Sequence, residues 1–512
     1  MNEQMIPKES NSYWRKAAEE RGLPFDRLEN ENLQVDVTIV GAGITGIISA
    51  FLLAQEGKKV ALIESGKVIN GTTGYTTAKI STQHGLMYDD LIKHHGEEKA
   101  ALYYQANDEA MKFLQSLTEE LGISCEYTTQ PSYVYAQTDK GSEQIEKEAK
   151  AYEKLNIPGE MTTETELPFK VKNALKLNGQ AQFHPVKFLL PLLSEIKAKG
   201  GLIFEHTRVT KVSGDSPVEV LTEDDGKITS EKVIVSTHFP INDFKGLYFS
   251  RLDIERSYTL AAKTDSRIPD GMYLSADQPK RSLRYTTDSN GDRMILFGGD
   301  SHKTGQGGDT IEHYENLRDF AVKHFAAKEF PYRWSAQDLT TLDKVPYIGP
   351  VTLHERNTLV ATGYAKWGMT NGTAAALLLT DLVLERENRF EELFSPSRFN
   401  ANPVVKNFIK ENADVAKEFV KGKLDKHDRR LEELENGEGG VVTLDGKRAG
   451  AYRNDQGEVT VVDTTCTHMG CELGWNNAEK SWDCPCHGSR FSACGDVIEG
   501  PAVKPLKKIY DS

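Results

Sequence analysis

Two short segments near the C-terminus carry the residue types best suited to metal chemistry. Cys466-Thr-His468-Met-Gly-Cys471 and Cys484-Pro-Cys486-His487-Gly-Ser489 each present one cysteine and one histidine to a common point. Soft thiolates suit iron–sulfide and neutral imidazoles suit iron, so the set reads as an iron–sulfur centre with mixed ligation. Tetrahedral zinc is the competing reading, because two cysteines and two histidines satisfy it as well. Zinc ligands usually stand two to four residues apart within each half, whereas Cys466-x-His468 is tighter. Each half also carries an extra cysteine, Cys471 and Cys486, placed to join one loop to the other. The pattern therefore favours iron and sulfide, and a centre of that kind moves electrons singly.

The two loops resemble the bc1-type Rieske [2Fe–2S] domain, a likeness that runs from about Gly437 to Lys504 and includes the closing Gly500-Pro501-Ala502. The resemblance implies that Cys466 and Cys484 bind one iron and that His468 and His487 bind the other. It also implies a disulfide between Cys471 and Cys486, and a hydrogen bond from Ser489 to a cluster sulfur. Phe491 departs from the pattern. High-potential members carry a tyrosine there whose hydroxyl supports a ligand sulfur, so a lower potential is expected, though still above that of an all-cysteine cluster.

A second redox signal lies at the other end of the chain. Val35 to Val40 reads as a buried strand, Gly41-Ala-Gly43-Ile-Thr-Gly46 as a turn, Ile47 to Gln55 as an apolar helix, and Lys59 to Ile63 as a second strand ending at Glu64. Strand, glycines, helix, strand and a carboxylate about twenty residues on form the dinucleotide fingerprint in its required context. Gly41 permits the tight turn, Gly43 lets backbone approach a pyrophosphate, and Gly46 lets helix and strand pack closely. The phosphates would meet the positive end of the helix, and Glu64 would accept a ribose hydroxyl.

The fingerprint does not separate NAD from FAD, and the rest of the chain favours FAD. The run Gly71 to Lys79 supplies small hydroxyl residues able to line a cofactor, Thr76 and Thr77 among them, and ends on Lys79, a further candidate contact. Further on, the strand Thr358 to Thr362 leads into Gly363-Tyr-Ala-Lys366-Trp367-Gly368-Met369-Thr370, and a small-residue helix is expected from about Asn371 to Leu384. Such a helix aims its N-terminus at the flavin edge where negative charge gathers on reduction. These features, with Phe183-His184-Pro185, Glu205-x-Thr207-x-Val209, the strand Lys232 to Thr237 and Asp343 to Pro350, resemble the D-amino-acid oxidase and glycine oxidase superfamily over about Leu33 to Leu384. The resemblance implies an α/β, Rossmann-like FAD-binding domain with an α+β substrate lobe, and Val209 among the cofactor contacts. No second glycine fingerprint follows Val235, which argues against a separate NAD(P)H domain.

Composition agrees with this organisation. A chain of 512 residues with 38% hydrophobic and 27% charged residues fits a multidomain globular protein with a large core. The expected divisions are an N-terminal extension over 1–34, the FAD-dependent oxidoreductase domain over 35–390, a helical linker over 391–436 and a small all-β Rieske domain over 437–512. Within the linker, the mixed-charge run from Val404 to Glu435 reads as one or two amphipathic helices. No apolar stretch is long enough to span a membrane and no signal-peptide core opens the chain, so a cytoplasmic location is expected. The net charge of −14 argues against nucleic acid as a partner and suits a basic redox carrier.

Catalysis in the resembling superfamily is hydride transfer from a C–H beside a substrate nitrogen to the flavin, with the protein mainly aligning the substrate. The candidates are Arg284, able to pair with a carboxylate, and Lys366, beside the flavin helix. Combining a flavin with a one-electron centre predicts a dehydrogenase that oxidises a small amine, amino acid or related substrate and passes electrons singly to an external acceptor. Reverse flow from a reduced carrier to FAD is a second reading, and a non-catalytic sensor or electron-transfer module a third. A Rieske oxygenase is disfavoured, because no set of two histidines and a carboxylate stands out to hold a mononuclear iron.

Overall fold

The computed structural model describes residues 6–19, 24–241, 243–288, 290–398, 412, 414–415, 417–419 and 429–511. Asn32–Val40 is the hub of a mixed eight-stranded sheet. It pairs in parallel with Val60–Ile63 on one side and Lys227–Val235 on the other, and the parallel run continues to Leu202–Phe204 and Thr358–Thr362. Val60–Ile63 and Thr358–Thr362 are buried along their whole length, as parallel strands covered on both faces must be. Helix Ile44–Gln55 packs against helices Pro185–Ala198 and Gly368–Val383. It is apolar on nearly every side because all of its sides are covered.

A nine-stranded sheet forms the second lobe. Its order runs Glu329–Thr341, Leu252–Lys263, Arg293–Lys303, Arg281–Thr287, Met272–Ser275, Thr128–Ala136, Asn173–Gln182 and Lys79–Ile80, with Gly159–Thr162 pairing beside Asn173–Gln182. All pairings are antiparallel except that of Met272–Ser275 with Thr128–Ala136. Helix Tyr88–Glu120 covers one flank and is broken at Gly96, whose φ of 83° no continuous helix permits. The C-terminal domain consists of two four-stranded antiparallel sheets, the first built on Glu438–Leu444 and Lys447–Arg453, the second on Ser481–Asp483 and Arg490–Ser492.

The N-terminal extension packs into the fold: helix Tyr13–Glu19 inserts Trp14, fully buried, and its indole Nε1 donates to the Thr76 carbonyl at 2.7 Å. The helix expected from Asn371 starts at Gly368, because the Asn371 N–H already bonds the Trp367 carbonyl. Much of the helical reading over 404–435 lies outside the described residues. Among the described residues, no helix is long and apolar enough to cross a membrane.

The small domain is seated on the flavin domain through buried polar contacts. Arg256, 1% exposed, donates to Glu499 at 3.0 Å and to Ser335 at 2.7 Å. Glu499 also faces Arg490, which pairs with Asp483 at 3.0 Å. Arg208 donates to the Val497 carbonyl, Gln337 to the Gly488 carbonyl, and Tyr314 to Glu479. Breaking one partner of a buried pair strands the other charge at a cost of about 3–5 kcal/mol, so this network fixes one docking orientation.

Candidate flavin and iron–sulfur sites

Two loops at the edge of the second small sheet bring the predicted cluster residues together. The turn after Val459–Val462 carries Cys466 and His468, and the turn between Ser481–Asp483 and Arg490–Ser492 carries Cys484 and His487. The imidazole rings stand 5.2 Å apart and nearly perpendicular. The sulfurs of Cys466 and Cys484 hydrogen-bond each other, which holds the Cys466 thiol below its usual range. Ser489 hydrogen-bonds the Cys466 sulfur and works in the same direction, and its Oγ accepts the Ala502 N–H at 3.1 Å. Burial, reinforced by His468, pushes His487 down to about 4, so its imidazole is neutral and able to ligate.

The residues fit a [2Fe–2S] cluster. Nδ1 of His468 and Nδ1 of His487 are both buried and have no hydrogen-bond partner among the described residues, an expensive arrangement unless another group takes their lone pairs. Cys471 and Cys486 form a disulfide that ties the loops together. Their sulfurs lie within 4.8 Å of Cys484, yet they are committed to each other, which leaves Cys466 and Cys484 as the free thiols beside the histidines. Phe491 is fully buried in the same apolar cluster as the four sulfurs. Of the remaining cysteines, Cys125 is buried in the flavin domain and Cys494 is partly exposed.

The flavin cradle is built chiefly from backbone. At Gly41, φ is +101° and a Cβ would sit 2.6 Å from the Ser236 carbonyl oxygen; at Gly46 a Cβ would sit 1.9 Å from the Gly41 carbonyl oxygen. Only glycine fits either place. Gly43 faces Thr73, whose hydroxyl accepts the Ile44 N–H at the start of the helix. Glu64, the residue after the strand Val60–Ile63, accepts the N–H groups of Ala42 and Gly66. Val209 belongs to the apolar layer containing Val40 and Ile63, the ends of the two strands flanking the turn. Gly363, at φ +81°, opens the loop to Trp367, and Gly368, Met369 and Thr370 form the first turn of the following helix. A glycine turn packed this closely, leading into a helix N-terminus, suits a dinucleotide pyrophosphate.

The run Gly71 to Lys79 joins the cradle to the second sheet. Thr76 accepts the Ala78 N–H, and the Thr77 methyl group stands 3.5 Å from where a Gly298 Cβ would lie. Lys79 Nζ donates to the Tyr273 carbonyl at 2.9 Å and to Ser282 Oγ at 2.6 Å. Burial and the charge of Arg284 push Lys79 down to about 7. Ser282 and Arg284 alternate along one strand and so share a face. Arg284 is buried, donates to the Phe183 carbonyl at 3.2 Å and lies over the Trp14 ring, with no partner for its Nε among the described residues. Burial draws it down to about 9. Lys366 instead turns to Asp338 at 2.8 Å, Ser257 at 2.6 Å and Glu255 at 3.3 Å. Burial opposes its charge, and the two carboxylates outweigh burial and raise it. Its charge is thus held by protein acids.

The family profile described as FAD dependent oxidoreductase matches residues 36–382, and that described as Rieske [2Fe-2S] domain matches residues 427–510. The chain belongs to the FAD dependent oxidoreductase family. This FAD dependent oxidoreductase is 46% identical over 508 residues to the Bacillus subtilis Rieske 2Fe-2S iron-sulfur protein YhfW, covering 99% of each. It is 24% identical over 399 residues to gamma-glutamylputrescine oxidoreductase of Escherichia coli, covering 75% of this chain and 91% of that one. Glycine oxidase from Geobacillus kaustophilus shares the fold at a TM-score of 0.61 and 20% identity, over 72% of this chain and 99% of its own. L-proline dehydrogenase from P. horikoshii does so at 0.58 and 18%, over 74% and 98%. The chain is therefore an FAD-dependent oxidoreductase with an added Rieske domain, carrying FAD and a [2Fe–2S] cluster.

Sequence reasoning missed several residues at these sites. Trp14 was legible only as an aromatic in a polar stretch. His84 stacks on Trp367 at 4.8 Å and contacts Tyr103 and Thr370, and burial pushes it down to about 3. Gln337, Asp338 and Asp243 take their places from tertiary packing, and no local pattern marks them.

Proposed function

We propose that this FAD dependent oxidoreductase is a dehydrogenase that oxidises a small amine, amino acid or related substrate and delivers electrons singly, through its Rieske domain, to an external carrier. When bound, FAD supplies two-electron oxidation with one-electron release, and the cluster supplies one-electron carriage. The observation that carries this reading is a pair of neighbours on the strand Glu329–Thr341. Asp338 holds Lys366 of the loop assigned to the flavin, while Gln337 Nε2 donates at 3.1 Å to the carbonyl of Gly488, next to His487. Two adjacent residues thus tie both cofactor loops to one rigid strand. His238 strengthens the tie, accepting Thr362 Oγ1 at its carbonyl and reaching the Gln337 carbonyl through Nε2 at 2.9 Å.

The names of the relatives support the substrate class, since glycine, proline and gamma-glutamylputrescine all carry a C–H beside nitrogen. Lys79 and Arg284 are assigned to the substrate side, where Arg284 meets a carboxylate and Lys79 holds or releases a proton. Gly41, Gly43, Gly46 and Glu64 are assigned to the dinucleotide, and Cys466, His468, Cys484 and His487 to the cluster. Anaerobic titration with a panel of amines and amino acids, following flavin and cluster absorbance together, tests the reading. A substrate should bleach the flavin and then the cluster. If no candidate reduces the flavin, while a chemical donor reduces it rapidly by way of the cluster, electrons run in the opposite direction and the reading fails.

A further inference from the structure

The histidine edge of the iron–sulfur site is covered by the enzyme's own flavin domain. His468, with its side chain 4% exposed, places Nε2 at 2.9 Å from Asp243 Oδ2. Asp243 begins a four-residue helical turn beyond the strand Lys227–Val235, and it is 3% exposed. Its other oxygen, Oδ1, accepts the Phe249 N–H at 2.6 Å, so both carboxylate oxygens are engaged. Phe244 and Phe249 complete the cover: their rings lie 5.4 Å and 6.0 Å from His468, and Phe249 lies 5.4 Å from His487.

A carboxylate beside a buried histidine is most often a docking contact and nothing more. Here a second observation points elsewhere, because the opposite nitrogen of the same ring, Nδ1, is buried with no hydrogen-bond partner among the described residues. With Nε2–H donating to Asp243, the imidazole carries its proton on Nε2 and its lone pair on Nδ1. That is the tautomer a metal ligand requires, and a carboxylate in this position both fixes the ring and makes it a stronger donor.

We propose that Asp243, a residue of the flavin domain, is a positioning residue for the Rieske centre: it orients His468 toward iron and, through its negative charge, lowers the centre's reduction potential. The inference rests on the assignment of His468 as a ligand made above, and it adds that the potential is set from the other domain. The charge argument is direct. Reduction adds an electron to the cluster, and a carboxylate hydrogen-bonded to a ligand disfavours that added negative charge. While the domains are docked, the Nε2 edge of His468 is occupied, and the electron exchange it favours is with this chain's flavin domain.

The test compares Asp243→Asn and Asp243→Ala with wild type and with Glu355→Gln, which breaks the Lys245–Glu355 pair on the same turn without touching His468. The readouts are iron and FAD content, EPR of the dithionite-reduced protein and the midpoint from mediated redox titration. Asp243→Asn should keep its cluster, with an upward-shifted midpoint and altered g values. Asp243→Ala should lose cluster occupancy by a factor on the order of ten while keeping FAD, and Glu355→Gln should match wild type. A fully loaded Asp243→Asn protein with unchanged midpoint and EPR would overturn the proposal. Wild-type protein provides an independent check should the variants fail to fold. After transfer to D2O, ENDOR should retain one slowly exchanging histidine N–H proton, and immediate loss of all such signals would contradict the buried hydrogen bond. None of these readouts uses substrate, so failure of the dehydrogenase reading leaves them intact, and their failure leaves that reading intact.

Discussion

In the Rieske domain four side chains, Cys466, His468, Cys484 and His487, are assigned to hold the cofactor, on loops cross-linked by Cys471 and Cys486. In the flavin domain the corresponding work is assigned to a turn where Gly41 and Gly46 matter because they have no side chain. One proposed site consists of donor side chains and the other of closely packed backbone. The two should therefore fail differently. A cluster site is lost when a donor atom is removed, whereas a backbone cradle is lost when an atom is added.

The largest effect expected from this contrast is a double dissociation. Cys484→Ser should strip the protein of its iron and sulfide while FAD remains bound. Gly46→Val should abolish FAD binding, since even its Cβ would sit 1.9 Å from the Gly41 carbonyl oxygen, while the cluster persists. Iron, sulfide and flavin analysis of the two purified variants decides it. Joint loss of both cofactors in either variant would mean that the sites are not separable.

The contrast also explains what could be read in the sequence. Cluster ligands must be cysteine and histidine at fixed spacing, so their identity is written in the chain. The dinucleotide turn was legible because its glycines stand between a strand and a helix that periodicity reveals. The surroundings of the two candidate catalytic residues were less legible. Arg284 was identifiable as a strand cation able to pair with a carboxylate, but its burial and its partners, Phe183 and Trp14 from distant segments, were not. Lys366 was placed correctly in its loop, but the carboxylates Asp338 and Glu255 that hold it lie on two other strands. The docking of the Rieske domain through Arg256, Glu499 and Gln337 left no local signature at all.

A smaller effect sharpens the comparison inside the cluster site. Hydrogen bonds to cluster sulfurs stabilise the more negative, reduced state and raise the potential. Ser489 supplies one to the Cys466 sulfur, and Phe491, packed among the sulfurs, supplies none. Ser489→Ala should lower the midpoint and Phe491→Tyr should raise it, with the cluster retained in both. Protein-film voltammetry reads the two shifts, and an unchanged or lowered midpoint in Phe491→Tyr would show that this position does not address a ligand sulfur.

The central claim is that electrons enter at the flavin and leave by way of the Rieske domain. It is tested most directly by anaerobic stopped-flow on Cys484→Ser with a reducing substrate, followed by addition of a one-electron acceptor. The account predicts that substrate bleaches the flavin as in wild type and that turnover with the acceptor is lost. Full acceptor turnover in this cluster-free variant would contradict it, because electrons would then be leaving the flavin directly.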